Sequence, residues 1–151
     1  VYKYLQTGKY EPRDSQQTIA NAMDVGDPSN FARIYDLFGG SHEQISALMS
    51  GATYSDAQIR HTMKACHDTT GYILDPHGAC GYQALKDLLQ PGEHGVFGET
   101  AHPAKFKNVV EDAINAEVQI PERLAAFMKG TKQSVEMSKD FDSFKKFLME
   151  Q

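Results

Sequence analysis

The stretch that most limits what this chain can fold into is Tyr72 to Asp75, YILD, an apolar run of strand length closed in front by Gly71 and behind by Pro76. A short run of this kind between turn residues reads as a buried strand. The segment after it, PHGACGYQALKDLL (76–89), puts proline where a helix's first turn lacks an N–H partner anyway, then continues with small residues and apolar residues at helical spacing. The same passage occurs again. HGVFGE (94–99) is a second apolar run, and ETAHPAKF (99–106) turns it into the helical pattern AKFKNVVEDAINA (104–116). Strand, tight turn and helix in succession predict an α/β fold with an open, mostly parallel sheet flanked by helices.

The remaining segments are mostly helical in period. SNFARIYDLFG (29–39) carries Phe31, Ile34, Tyr35 and Phe38 on one face, with Ser29 or Asn30 as the cap and Gly39 and Gly40 as the stop. SHEQISALMSG (41–51) has Ser41 three residues before Gln44, a capping-box spacing, and a face of Ile45, Leu48 and Met49. ATYS (52–55) reads as a short edge strand, and the helix after it opens on Ser55 and Asp56 with a stripe of Ile59, Met63 and Cys66. PERLAAFMKG (121–130) and DFDSFKKFLMEQ (140–151) are further helices, and Met49, Met63, Phe127 and Phe147 are expected in the core. The first residues read as a helix running out through Gly8. With no initial methionine, the chain is expected to be part of something longer.

Bulk properties narrow the function. The chain has 151 residues, one domain's worth, and a net charge of −5, so nothing recruits nucleic acid or an anionic membrane. No apolar run approaches the roughly 18 residues of a membrane span. Two cysteines and six histidines suit a reducing interior, which predicts a cytoplasmic protein. Asp75 and His77 invite an acid/base or metal reading, but His77 and Cys80 give too few ligands for a zinc site, and His61, Cys66 and His67 scatter round a helix. No metal site is expected. Lys105 sits in a helical, solvated position.

Three stretches hold more turn chemistry than connections need: AMDVGDPSNF (22–31), LDPHGACGYQAL (74–85) and ETAHPAKF (99–106). Small residues at a strand-to-helix turn let backbone N–H groups approach a ligand. In this order and separation the three resemble the C-terminal part of the threonine synthases, pyridoxal-phosphate enzymes that make threonine from O-phosphohomoserine. YLQTGKYEPR (4–13) and PERLAAFMKG extend the likeness over nearly the whole chain, 1–151. One departure is Asp27, where many relatives carry asparagine.

The resemblance implies a fold type II cofactor-binding domain plus C-terminal helices, with the lysine that holds the cofactor and most of the phosphate cradle lying upstream. No catalytic residue is therefore expected in this chain, which alone would be inactive. It implies Thr100 as hydroxyl partner of the pyridine nitrogen of pyridoxal 5'-phosphate, with Val25, Gly26 and His102 also beside the cofactor. It implies Asp24, Ser29 and Asn30 on the side of the substrate, O-phosphohomoserine. From the residues alone, Thr100 caps a helix as readily as it meets a ligand, His102 serves its turn as readily as a pocket, and Ser29 is first of all a helix cap. Two other functions stay open: a non-catalytic binding or regulatory domain of this fold, and another lyase or dehydratase using the same cofactor. Strands without their upstream neighbours leave apolar edges, so self-association is expected.

Overall fold

The computed structural model describes residues 1–22 and 24–150. Two compact units divide the chain, Val1–Gln119 and the residues from Ile120 onward.

The first unit holds two cores. In the smaller one, α1 (Tyr2–Thr7), α2 (Phe31–Leu37) and α3 (His42–Leu48) gather Tyr4, Phe31 and Ile45. Tyr4 meets Phe31 edge-on at 4.8 Å, and Tyr10 stacks on Phe31 at 4.3 Å. Helix α1 ends as expected at Gly8, whose φ of 72° is left-handed. Ser41 accepts from the Gln44 N–H, as its spacing predicts, whereas Asn30 precedes α2 without a side-chain capping bond. Ile45 and Met49 point into this core. Leu48, expected beside them, is exposed.

The larger core lies among α4 (Asp56–Thr70), α5 (Pro76–Leu88) and α6 (Lys107–Ile114). Ile59, Met63 and Cys66 from α4 pack with Leu74, Ala79, Val110, Ile114 and Val118. A full capping box of Ser55 and Gln58 starts α4, and Gly71 ends it. Helix α5 starts at Asp75, whose side chain accepts from the His77 N–H, with Pro76 in the first turn. A short 3-10 turn, Pro103–Phe106, leads into α6. The small-residue face of α5 has a clear packing cause: a Cβ on Gly81 would lie 3.3 Å from the Phe97 Cβ, so the segment before the 3-10 turn runs close over α5 there.

The expected open sheet is not formed among the described residues. YILD, HGVFGE and ATYS take no paired strand structure. A ladder requires a neighbouring strand to exchange N–H and C=O bonds. Here the Asp75 N–H donates to the Glu99 carboxyl instead of to a main-chain carbonyl.

In the second unit, α7 (Glu122–Met128) and α8 (Phe141–Met149) hold no buried residue. Asp140 caps α8 through the Ser143 N–H at 2.9 Å. Phe127 is 82% exposed, which corrects its expected place in the core: it lies off the side of α7 where Leu124 and Ala125 are partly buried. Among the described residues no helix is long and apolar enough to cross a membrane.

Candidate functional site

The turn at 99–103 stands on three supports. Glu99 reaches back to the start of α5, where its Oε1 accepts from the Asp75 N–H at 2.8 Å. His102 caps the 3-10 turn, its Nδ1 accepting from the Ala104 N–H at 3.1 Å. Phe106, at the end of that turn, packs against the His77 ring with centroids 5.1 Å apart. Helix capping is thus done by His102 and not by Thr100, whose hydroxyl is used by none of these bonds.

Above the turn lies a cavity of about 550 Å³, lined by Thr100, His102, Glu99, Tyr72, Ile73 and Val118, among others. Its Val118 wall is latched. Glu111 pairs with Lys107 and accepts from the Val118 N–H at 2.8 Å, and Lys107 Nζ donates to the Val118 carbonyl at 2.7 Å. The Lys107 ammonium, and next the Val118 N–H, hold the Glu111 carboxyl below its usual range.

Under the cavity floor two carboxyl groups meet. Asp75 is fully buried, and its Oδ1 takes both the His77 N–H at 2.7 Å and the His77 ring nitrogen at 2.9 Å. Burial above all, together with the Asp75 carboxyl, pushes Glu99 up to about 7, although the Asp75 N–H and His77 pull the other way. Burial and the Asp75 charge likewise raise the Cys80 thiol, which suits an inert cysteine and not a nucleophile. Among the described residues no three His, Cys, Asp or Glu side chains gather to hold a metal ion.

The other sequence-selected residues sit elsewhere. Asp24 closes its own loop, accepting from the Thr18 N–H at 3.1 Å and hydroxyl at 2.8 Å. With Val25 and Gly26 it lines a separate hollow of about 220 Å³ beside Arg13. Gly26 is fixed by that contact, since a Cβ there would lie 1.9 Å from the Arg13 carbonyl oxygen. Ser29 faces an aromatic hollow of about 500 Å³ with Tyr4, Tyr10 and Phe31. Asn30 keeps its side chain free of a capping bond. The fold therefore joins Thr100 with His102, and Asp24 with Val25 and Gly26, in different hollows. Sequence reasoning weighed Asp75 but missed Glu99. The available signal was Gly78, a glycine inside a helix with no turn to require it.

Comparison with known proteins points to one family. The family profile described as "Threonine synthase, C-terminal" matches residues 78–148. Threonine synthase of Haemophilus influenzae is 39% identical over 149 residues, which cover 99% of this chain and 35% of the relative. The crystal structure of threonine synthase from Escherichia coli superposes with a TM-score of 0.82 and 36% identity, over 98% of this chain and 34% of that one. Over nearly its whole length the chain is similar to the C-terminal third of threonine synthases. It spans about a third of the length of the curated relatives it matches. A more distant likeness, TM-score 0.70 at 24% identity over 99% of this chain and 37% of the other, is to the PLP-bound threonine synthase from Brucella melitensis, and it shows the shared fold.

Proposed function

We propose that residues 1–151 are the C-terminal portion of a threonine synthase, which converts O-phospho-L-homoserine and water to L-threonine and phosphate with pyridoxal 5'-phosphate. In this reading the chain gives one wall of a fold type II cofactor-binding domain, followed by C-terminal helices. YILD and HGVFGE become strands of an open, mostly parallel sheet once neighbouring strands pair with them. The protein works in the cytoplasm, and the chain expressed by itself self-associates through its unpaired apolar edges.

The observation that carries the reading is Thr100, which lines a cavity while His102 caps the helical turn in its place. That arrangement fits the cofactor's ring: Tyr72 and Ile73 supply a partly apolar wall, and Thr100 a neutral donor for the ring nitrogen. When bound, the cofactor supplies an electron sink for proton removal at the substrate carbons. This chain's part is to hold and orient. A carboxylate at position 100 would keep the ring nitrogen protonated, whereas a hydroxyl leaves it largely neutral. His102 fixes the turn from which Thr100 projects. The loop holding Asp24, Val25, Gly26, Ser29 and Asn30 lines hollows separate from that of Thr100, and the resemblance alone assigns Val25 and Gly26 to the cofactor and the others to the substrate. The lysine that bonds the cofactor lies outside this chain.

The test is Thr100→Val in the full-length protein. Loss of one buried hydrogen bond costs about 1–3 kcal/mol, so cofactor affinity or turnover should fall by about one to two powers of ten. A cofactor titration and steady-state kinetics read this, and unchanged values in both refute the assignment.

A further inference from the structure

Gly78 lies in α5 with an ordinary helical backbone, so the reason for a glycine must be space. A Cβ built there would stand 2.0 Å from Glu99 Oε2 and 2.5 Å from Oε1. The Glu99 carboxyl thus occupies the volume a side chain at 78 would need. Its Oε1 is held by the Asp75 N–H, and Asp75 Oδ1 is held by His77. The other oxygen of each group, Asp75 Oδ2 and Glu99 Oε2, is buried with no hydrogen-bond partner among the described residues. Buried acceptors without donors are rare in folded proteins, and two adjacent carboxylates cannot both stay ionised out of water. One proton held between the two groups removes both difficulties.

We propose that Asp75 and Glu99 share one proton, and that Glu99 is a positioning residue which clips the 99–103 turn, and with it Thr100, to the start of α5. The titratable groups facing Glu99 are Asp75 and His77, both at the entry to α5. Its carboxyl stands raised from 4.5 to about 7. A raised folded value means that the clip's stability is complete below about 4.5 and is lost as pH climbs through about 7. That the clipped Thr100 meets a cofactor rests on the function proposed above. The clip itself does not.

The test uses the full-length protein, with two readouts: melting temperature across this pH range, and affinity for pyridoxal phosphate by titration. Glu99→Gln keeps the size and a neutral donor, so it should remove the fall in melting temperature with rising pH. Gly78→Ala should drive the Glu99 carboxyl out. It should lower the melting temperature, although glycine to alanine in a helix ordinarily raises stability, and weaken cofactor binding about tenfold, the scale of one lost buried hydrogen bond. A pH slope that survives in Glu99→Gln, or a Gly78→Ala protein that melts higher than its parent, overturns the proposal. If Gly78→Ala does not fold, the slope in Glu99→Gln decides alone. If both variants behave as expected but Thr100→Val binds the cofactor normally, the clip stands and the cofactor reading of Thr100 falls.

Discussion

Leu74→Ala probes how firmly the core holds the site above it. Leu74 is completely buried and packs in one cluster with Ile59 and Met63 from α4 and Val110 and Ile114 from α6. The substitution removes the equivalent of three methylene groups, about 2.4 kcal/mol of lost transfer energy at roughly 0.8 each. Relaxation into the void is limited, because the next residue, Asp75, is tied by bonds of 2.7 Å to the His77 N–H and 2.8 Å to Glu99. A residual cavity adds a further penalty that grows with its volume, bringing the expected loss to about 3 kcal/mol, inside the roughly 2–5 usual for such truncations. Leu74→Met nearly conserves volume and should cost less than about 1.5 kcal/mol. Native-state hydrogen exchange on the full-length protein suits the question, since it reads the opening free energy of α4 and α6 amides locally, without assuming that the whole molecule unfolds in one step. Protection of α4 lowered by less than about 1 kcal/mol in Leu74→Ala, or an equal loss in Leu74→Met, would show that Leu74 does not seal this core.

Ser55→Ala removes the acceptor of the Gln58 N–H in the capping box of α4 and should cost about 1 kcal/mol, visible as a lower melting temperature. The latch on Val118 makes an acid-side prediction. Glu111 is held below its usual value of 4.5, first by Lys107, so its contribution is present above about 4.5 and is lost as pH falls through the lower folded value. Lys107→Met should therefore flatten the loss of melting temperature on acidification below about pH 4.5, and an acid limb identical to that of the parent would remove the latch from consideration.

How much the sequence revealed depended on how local the cause was. Ser41 with Gln44, the Ser55 cap and the left-handed Gly8 are set within a few residues of chain, and each stands where its pattern predicted. The stripe of Ile59, Met63 and Cys66 was equally legible, because a period of 3.6 fixes the buried face before any partner is known. The sheet was a different kind of inference. An apolar run such as YILD declares that its side chains are to be buried, yet whether its backbone forms a ladder depends on neighbours that a single run cannot name, and here the Asp75 N–H found a side chain. Phe127 shows the same dependence in a helix: its apolar character was readable, its exposure was not.

The site repeats this division at closer range. Thr100 and His102 were marked by a turn composition visible in eight consecutive residues, but their roles separated only when His102 proved to be the acceptor for the Ala104 N–H. Glu99 escaped because its partner is 24 residues away and the pairing places two acidic groups together, which sequence reasoning by charge would place apart. Gly78 is the mark of that pair which a sequence reader can see. A helical glycine whose φ is ordinary signals crowding and not flexibility, and the crowding group is found by asking what lies where its Cβ would be. For this chain the answer is a carboxyl group against a second carboxyl group, directly beneath the turn that presents Thr100, so the space at residue 78, the proton between Asp75 and Glu99 and the position of Thr100 form one connected arrangement that a single methyl group at 78 should disturb.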